Sequence, residues 1–130
     1  MADLTTYSKN LLLNGLVRGT GPTLPSNTYV GLFTAAPSDA GGGTEVSGNA
    51  YARVQADTAI GAPTDGVAAN TSAINFPTPT GSWGTVTHFG LFDASTSGNL
   101  LMWDSLSASK AITTDDTVSI AIGDLDITFA

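Results

Sequence analysis

The segment that spans residues 85–106 constrains the fold more than any other part of the chain. Its sequence, TVTHFGLFDASTSGNLLMWDSL, alternates apolar and aromatic residues between two faces on both sides of a polar stretch. Alternation with a period of two, rich in β-branched and aromatic residues, indicates β-strands. The Ser, Thr, Gly and Asn residues at 94–99 supply the chemistry of a turn. Because few positions on either face carry a charge, we predict a β-hairpin that is covered on both faces and lies in the middle of the core.

Other short segments show the same alternation, and they define the predicted fold class. Strands are predicted at residues 28–35, 51–56, 72–76, 117–122 and 125–129, with loops at 36–50, 61–71 and 107–116. Gly123 and Asp124 favour a tight turn over a bulge between the last two strands. About seven short strands predict a mainly β fold, a jelly-roll-like β-sandwich with one N-terminal α-helix. We expect one domain, with the helix in residues 1–19 and the sandwich in residues 28–130.

The helix is predicted at residues 3–18, where one stripe is apolar. The stripe consists of residues spaced three or four apart, namely Leu4, Tyr7, Leu11, Leu12 and Leu16. Asp3 or Thr5 is suited to cap the start, and Gly19 to take the left-handed position that ends a helix. Gly15 weakens a helix, so its expected purpose is a close contact between helix and sheet.

A five-residue pattern occurs twice in the chain. Residues 31–35 read Gly-Leu-Phe-Thr-Ala, and residues 90–94 read Gly-Leu-Phe-Asp-Ala. The repeat arises either from duplication or from two central strands that converge on one packing solution, and we favour convergence.

Composition limits the classes of function. The net charge is −7, which disfavours binding to nucleic acid, and no segment approaches the roughly 18 apolar residues of a membrane span. The chain contains no Cys, which excludes disulfides and thiolate metal sites. Only 12% of residues are charged, below the roughly 25% of typical soluble domains. Such a surface is typical of a protein that packs against copies of itself or against partners.

No pattern of catalytic residues stands out. His88 is the only histidine, and its place in an apolar strand indicates a structural or subunit-contact residue. The S-x-x-K match at 107–110 lacks the companion motifs of penicillin-binding enzymes. The glycines Gly41, Gly42 and Gly43 are not followed by Lys-Ser or Lys-Thr, so a phosphate-binding loop is not predicted. Glu45, the only glutamate, is expected to be exposed, which leaves no evident pair of carboxylates for hydrolysis.

Cation binding is conceivable only near the C-terminus. Asp115, Asp116, Asp124 and Asp126 lie close together in sequence, but they do not form the spaced loop of a calcium site. Solvated turn carboxylates are the favoured interpretation, and no cofactor is predicted.

Two segments resemble a known family. They are TYVGLFTAAPSDAGGGTEVSGNAYARV at residues 28–54 and SWGTVTHFGLFDASTSGNLLMWDSL at residues 82–106. Both are similar to small virion structural proteins of tailed bacteriophages, a group that includes tail-fibre and accessory head proteins. The resemblance implies no catalytic residues. It implies roles in fold and contacts for Tyr29, Gly31, Leu32, Phe33, Gly48, Tyr51, Arg53, Trp83, Gly84, Phe89, Gly90, Phe92 and Asp93.

The resemblance and the composition together predict a non-enzymatic protein of the virion exterior, made in the cytoplasm of the bacterial host. One hypothesis is a capsid cement or head-fibre base that packs with copies of itself, as a homo-oligomer, and with other virion proteins, because many weak contacts repeated by symmetry give lasting attachment. The alternative is a tail-tip or tail-fibre component that binds a host receptor or glycan. A hydrolase is the least favoured hypothesis.

The predicted interface combines the helix stripe, the glycine loop and two anchors. It comprises Leu4, Tyr7, Leu11, Gly41, Gly42, Gly43, Arg53 and Trp83. Arg53 is suited either to bridge carboxylates and carbonyls between proteins or to form a salt bridge within the domain. Aromatic residues that could stack on a sugar are Tyr29, Tyr51, Trp83 and Trp103. Of the two tryptophans, Trp103 is expected in the core and Trp83, at a turn, is the one expected to reach a ligand.

Overall fold

The computed structural model describes residues 3–21 and 24–128. Within them the chain forms one helix, α1 (Thr6–Leu16), and a single turn of 3-10 helix at Asp57–Ala59. It also forms ten strands: β1 (Asp3–Leu4), β2 (Tyr29–Ala35), β3 (Thr44–Glu45), β4 (Val54–Gln55), β5 (Val67–Ala69), β6 (Ile74–Asn75), β7 (Gly84–Phe92), β8 (Leu100–Ile112), β9 (Ser119–Ile120) and β10 (Asp126–Thr128). The prediction of a mainly β fold with one N-terminal helix is confirmed.

Strands β2 and β7 lie at the centre of a six-stranded antiparallel sheet. The strand order is β1-β8-β7-β2-β3, and β4 pairs with the same edge of β2 as β3 does. The predicted hairpin is therefore present as β7 and β8, joined by a turn between Phe92 and Leu100. Its first strand is central, whereas β8 is flanked on its outer side only by β1.

The repeated five-residue pattern lies in β2 and β7, the two central strands of this sheet. Gly31 of β2 and Gly90 of β7 are direct cross-strand partners. A Cβ atom at Gly90 would lie 2.6 Å from Cδ1 of Leu100 and 2.9 Å from Cε1 of Phe33. The missing side chains therefore make room for the residues that cover this face, and the convergence of the two strands stays a prediction.

The two faces of the sheet carry separate apolar clusters, because consecutive residues of a strand point to opposite sides. Leu32 belongs to the larger cluster and its neighbour Phe33 to the smaller one. The larger cluster includes Val30, Leu32, Val46, Ile74, Phe76, Trp83, Val86, Leu91, Ile112 and Leu125. The smaller cluster is formed by Phe33, Phe92 and Leu100, with Trp103 packed against it.

Two small sheets cover the face of the larger cluster. One pairs β5 with β10, the other pairs β6 with β9, and both are antiparallel. Ile74 and Leu125 from this layer are buried in the larger cluster. The arrangement is sandwich-like, while a jelly-roll strand order stays a prediction.

The side chain of Asn70 binds the C-terminal segment through hydrogen bonds. Its amide nitrogen donates to the carbonyls of Ser72, at 3.0 Å, and Ala121, at 2.9 Å. Its side-chain oxygen accepts from the backbone N–H of Leu125 at 3.0 Å. With these bonds the buried amide is satisfied, which removes the penalty of an unpaired polar group in the core.

Several short strands lie where the sequence predicted loops. Strand β3 lies in the predicted loop 36–50, β5 lies in the loop 61–71, and β8 continues to Ile112 through the predicted connection 107–116. These segments are rich in Ala, Ser, Thr and Gly. They form strands through backbone pairing, and their sequences lack the apolar alternation by which a strand is predicted. Gly123, with φ +83°, lies in a turn, as predicted, but β9 and β10 pair with other strands. Phe129, placed by the alternation in the last strand, lies outside the described residues.

The helix begins later than the sequence predicted. Asp3 and Leu4 form β1, which pairs with Trp103 and Met102 of β8. The cap is Thr5, whose side-chain oxygen accepts from the N–H of Ser8 at 3.3 Å and donates to the carbonyl of Leu100 at 2.6 Å.

The C-terminal part of the helix agrees with the prediction at Gly19 but not at Gly15. The helix ends at Leu16 rather than at residue 18, and Gly19 takes the left-handed conformation, with φ +62°. The prediction that Gly15 makes a close contact with the sheet is wrong, because a Cβ atom there would have no neighbour within 4 Å.

Alanine at Gly90 and at Gly15 is expected to change stability in opposite directions. Gly90→Ala should lower the free energy of unfolding by about 1–3 kcal/mol, because the added methyl group overlaps Leu100 and Phe33. Gly15→Ala should raise it by about 0.5–1 kcal/mol, because the helix gains propensity and the methyl group meets no obstacle. Urea denaturation of the two variants checks both signs, and a loss of stability in Gly15→Ala would contradict the open surroundings of that residue.

Candidate interface and the Arg53 cluster

Arg53 is the centre of a polar cluster that joins three parts of the fold. Its guanidinium binds both carboxylate oxygens of Glu45, with Nε 2.8 Å from Oε2 and Nη2 2.7 Å from Oε1. Its Nη1 donates to the carbonyls of Ala94, at 2.9 Å, and Ser97, at 2.7 Å. The residue that directly precedes β4 is thereby bound to β3 and to the turn of the β7–β8 hairpin. Such a paired, two-pronged contact is among the stronger polar interactions in proteins.

Aromatic rings complete the cluster. The carbon Cζ of Arg53 lies 3.4 Å from the centroid of the Phe92 ring, in a cation–π contact. The hydroxyl of Tyr51 donates to Glu45 Oε2 at 2.7 Å and accepts from the N–H of Leu32 at 2.9 Å. Burial raises the pKa of Tyr51, and its bond to Glu45 adds to that effect, so the hydroxyl keeps its proton and remains a donor.

The cluster bears on two expectations from the sequence, the exposure of Glu45 and the use of Arg53. Glu45 was expected to be exposed, but its side chain is only 24% accessible, because Arg53 holds it against the sheet. The side chain of Arg53 is 9% accessible, and its salt bridge lies within the domain, which was one of the two uses proposed for this residue. An additional contact of Arg53 with a partner protein stays a prediction.

Trp83 is buried rather than exposed at its turn. It is 4% accessible, its indole N–H donates to the carbonyl of Asn49 at 3.0 Å, and the Tyr51 ring meets it edge-on with centroids 5.3 Å apart. Trp103 is only partly buried and donates to Asp39 at 3.3 Å. The expected exposure of Trp83 is therefore wrong, whereas Trp103, expected in the core, is partly buried against the smaller cluster. A role of Trp83 at an interface stays a prediction, and its burial favours a structural role.

The three consecutive glycines shape the loop beside the helix. Gly41, Gly42 and Gly43 have φ of +92°, +79° and +76°, a region that L-residues with a side chain avoid. At Gly43 a Cβ atom would also lie 2.8 Å from the backbone N of Pro37. Gly41 and Gly42 line a shallow crevice together with Tyr7, so this part of the predicted interface is brought together.

The helix meets the sheet through a polar residue and carries apolar side chains on its exposed side. Ser8 is its one buried residue, and Leu4 and Leu11 of the predicted interface are half-buried. Tyr7 is exposed.

Further apolar side chains are exposed at the end of the helix and just beyond it: Leu13, Leu16 (82% accessible) and Val17 (73% accessible). Of these three residues, the predicted stripe contains only Leu16. The apolar residues at 11–13 and 16–17 are the sequence pattern that could have revealed them, because together they are too widely spread around a helix to face one side.

Asp39 links the helix to Trp103. The Lys9 ammonium lies 3.2 Å from its Oδ2, and the Trp103 indole donates to its Oδ1. The hydrogen bond from Lys9 holds the pKa of Asp39 below the ordinary value of 3.8, and the bond from Trp103 acts in the same direction.

Acid is expected to break the link that Asp39 provides. The stabilisation from a carboxylate with a lowered pKa is present above the unfolded-state pKa and is lost as the pH falls through the folded-state value. Tryptophan fluorescence titrated from pH 6 to pH 2 should show a step below pH 3.8 that is absent in Asp39→Asn. A step of the same size and midpoint in Asp39→Asn would contradict the assignment.

The residues considered for chemistry are spread over the fold. His88 is half-buried, its Nδ1 lies 2.8 Å from the Thr87 hydroxyl, and its ring is 6.0 Å from that of Trp103. Within residues 3–21 and 24–128, no three His, Asp or Glu side chains are grouped so that they could hold a metal ion. In the same residues, no helix has the length and apolar character needed to cross a bilayer.

One cleft has the size of a small-ligand site. It has a volume of about 680 Å³ and lies between β8 and the C-terminal segment. Its lining combines apolar residues with charges at the rim, among them Phe76, Val86, Phe89, Leu106, Lys110 and Asp124. Ligand sites in proteins commonly fall in this range of volume.

Comparison with known proteins identifies the family. No curated protein matches the chain. A family model described as podophage GP4 fiber I protein gp80 matches residues 3–128, which include both segments that resemble tailed-phage virion proteins. The match runs from β1 through α1 and the whole six-stranded sheet to β10. The chain therefore belongs to the podophage GP4 fiber I protein gp80 family, a family of structural proteins of phage fibres.

Proposed function

We propose that this chain is a non-enzymatic building block on the exterior of the virion, where it packs as a homo-oligomer and serves as a head-fibre base or capsid cement. Its family supports a structural role in a phage fibre. Its net charge of −7 suits an outer surface better than a wall that faces DNA.

The observation that carries the proposal is the outer face of α1. Leu13, Leu16 and Val17 are among the most exposed large apolar side chains of the described residues. Grouped apolar side chains on a surface mark sites of protein association. The helix itself is fixed to the sheet through Thr5 and Ser8, whose hydroxyls donate to backbone carbonyls of β8 at 2.6 Å each. The exposed face is thus presented on a rigid support.

Labelling of intact particles tests the proposed position. Antibodies raised against this chain and coupled to gold should decorate the heads of virions in electron micrographs, with no need to disrupt the particles. Particles that lack the gene product serve as the control. Label confined to tails would contradict the head position and favour the alternative, and the absence of label on intact particles would contradict exposure on the exterior.

The alternative is a tail component that binds a receptor or glycan, and the 680 Å³ cleft is the observation that favours it. Phe89 offers an aromatic surface, and Lys110 and Asp124 offer polar groups at the rim, as sugar recognition requires. Glycan arrays probed with the wild-type protein and with Lys110→Ala test this function. Binding that Lys110→Ala weakens would support it, whereas failure of the folded wild-type protein to bind any glycan would contradict it.

A further inference from the structure

Residues 118–128 contain β9 and β10, and we call them the C-terminal arm. Both of its strands pair outside the six-stranded sheet, β9 with β6 and β10 with β5. The arm does not pair with β8, the strand that precedes it in the chain, and the 680 Å³ cleft lies between the two. The arm is therefore bound by residues 67–76, a part of the chain distant in sequence, which we call the acceptor segment.

The acceptor segment holds the arm through bonds centred on the buried residue Asn70. The backbone N–H of Asn70 donates to the carbonyl of Leu125 at 3.2 Å, and its carbonyl accepts from the N–H of Gly123 at 2.9 Å. Its side chain donates to Ala121 and accepts from Leu125, whose own side chain is 1% accessible in the larger cluster. Without an arm, the buried amide would lose partners and the cluster would lose a leucine. Each folded copy therefore needs an arm on its acceptor segment, but that arm need not be its own.

Residues 113–117, which join β8 to the arm, have the features of a hinge. All five are Thr or Asp, and none of them belongs to an apolar cluster. The turn is closed by polar bonds, from the N–H of Thr113 to Oδ2 of Asp116 at 2.7 Å and from the N–H of Asp115 to the carbonyl of Pro79 at 2.9 Å. Asp115 has φ +66°, a conformation that is unfavourable for residues with a side chain. Short hinges under strain favour the exchange of the element that they carry.

We propose that copies of this chain exchange their C-terminal arms, so that the arm of one copy lies on the acceptor segment of another. This inference rests on the proposed function and names the contact that joins the copies. The two surfaces are complementary because they are the same surfaces that meet within one chain. Five extended hinge residues span about 17 Å, enough to reach a neighbouring copy that packs alongside. Exchange keeps the contacts of the arm, gives up the bonds of the closed turn and releases Asp115 from its left-handed conformation.

Cysteine cross-linking distinguishes an exchanged arm from a closed one, because the natural chain has no Cys. Asn75 of β6 and Ser119 of β9 are cross-strand partners, and both are exposed, so the double variant Asn75→Cys/Ser119→Cys should fold. A short bis-methanethiosulfonate joins these two thiols wherever an arm lies on an acceptor segment. The cross-link connects two chains if the arm is exchanged and stays within one chain if it is not. We expect covalent dimers or larger multimers on denaturing gels, and monomers from either single variant alone.

Each other outcome overturns the proposal. A cross-link within one chain, in protein that sediments as an oligomer, would show that the copies meet elsewhere. The same cross-link in protein that stays monomeric at the highest soluble concentration would show that the arm remains closed. Dimers formed to the same extent by a single variant would show a contact that does not pair the arm with the acceptor segment. Gold labelling of virions is independent of all three results, so the proposed function can survive the failure of this inference.

Opposite changes at the hinge provide a second test. Asp115→Gly and Asp115→Val remove the same carboxylate, but glycine relieves the strain of the closed turn and the β-branched valine increases it. In sedimentation equilibrium, the association constant of Asp115→Gly should be at least about fivefold below that of Asp115→Val, the ratio that corresponds to the cost of a left-handed residue. Equal constants, or a weaker association of Asp115→Val, would contradict an exchange that opens at this residue. Far-ultraviolet circular dichroism confirms that both variants are folded.

Discussion

Replacement of Arg53 by methionine is expected to lower the free energy of unfolding by about 3 kcal/mol, which corresponds to a fall of about 10 °C in Tm. The variant leaves the Glu45 carboxylate without its partner and leaves the carbonyls of Ala94 and Ser97 without their donor. It also loses the cation–π contact with Phe92. Methionine retains much of the apolar stem, so the loss reports on the guanidinium. Thermal and urea denaturation measure it.

Lys9→Met is the matched control for this prediction. The Lys9–Asp39 pair has a similar separation, 3.2 Å, but its side chains are 51% and 46% accessible. A surface pair of this kind contributes about 0–1 kcal/mol. Arg53→Lys is expected to behave like Arg53→Met, because one ammonium cannot bind both oxygens of Glu45 and both carbonyls in the same arrangement. A loss for Arg53→Met no larger than that for Lys9→Met would show that the cluster does not stabilise the fold.

Replacement of Trp83 by alanine is expected to cost about 3–5 kcal/mol, because it empties a buried aromatic site in the larger cluster. It also removes one of two donors to the Asn49 carbonyl, which keeps its hydrogen bond from the N–H of Thr80 at 3.1 Å. Urea denaturation followed by circular dichroism measures the change, since the signal does not depend on the remaining Trp103. Leu16→Ala, at an exposed position, should change the stability by no more than about 0.5 kcal/mol.

The same variant separates a structural role of Trp83 from a role in ligand binding. If Trp83→Ala folded with unchanged stability and lost binding to a glycan, the indole would act at a surface, against the structure. If binding is lost only together with the fold, the residue serves the core. The Lys110→Ala variant then remains the test of recognition, because Lys110 is exposed at the rim of the cleft.

Alternation predicted the central part of the fold well. Strands β2 and β7 and the start of β8 combine apolar residues of both faces with a polar turn, so the pattern and the packing agree. Thr5 was recognised as a possible cap by its residue type, because a hydroxyl oxygen can accept from a free N–H of the first turn. Local sequence was sufficient in these places.

The places of Trp83 and Arg53 depend on partners distant in sequence. Trp83 is buried because a loop 34 residues earlier supplies the Asn49 carbonyl and the Tyr51 ring. Arg53 is satisfied by carbonyls 41 and 44 residues later. The residues adjacent in sequence to Trp83 and Arg53 do not indicate either pairing. The turn position of Trp83 therefore suggested that its side chain is exposed, and two uses of Arg53 were left open. The outward face of α1 was missed for a different reason: the predicted stripe assumed that only one side of the helix is apolar.

The attachment of the N-terminal segment has a consequence for synthesis on the ribosome. Thr5 binds the carbonyl of Leu100, 95 residues later in the chain. At a translation rate of about 5–20 residues per second, roughly 5–20 s pass between the synthesis of Thr5 and the synthesis of Leu100, the residue that it binds. A nascent polypeptide that stops short of Leu100 has no strand on which to fix α1. Only chains that already include the start of β8 can therefore fix this helix to the sheet.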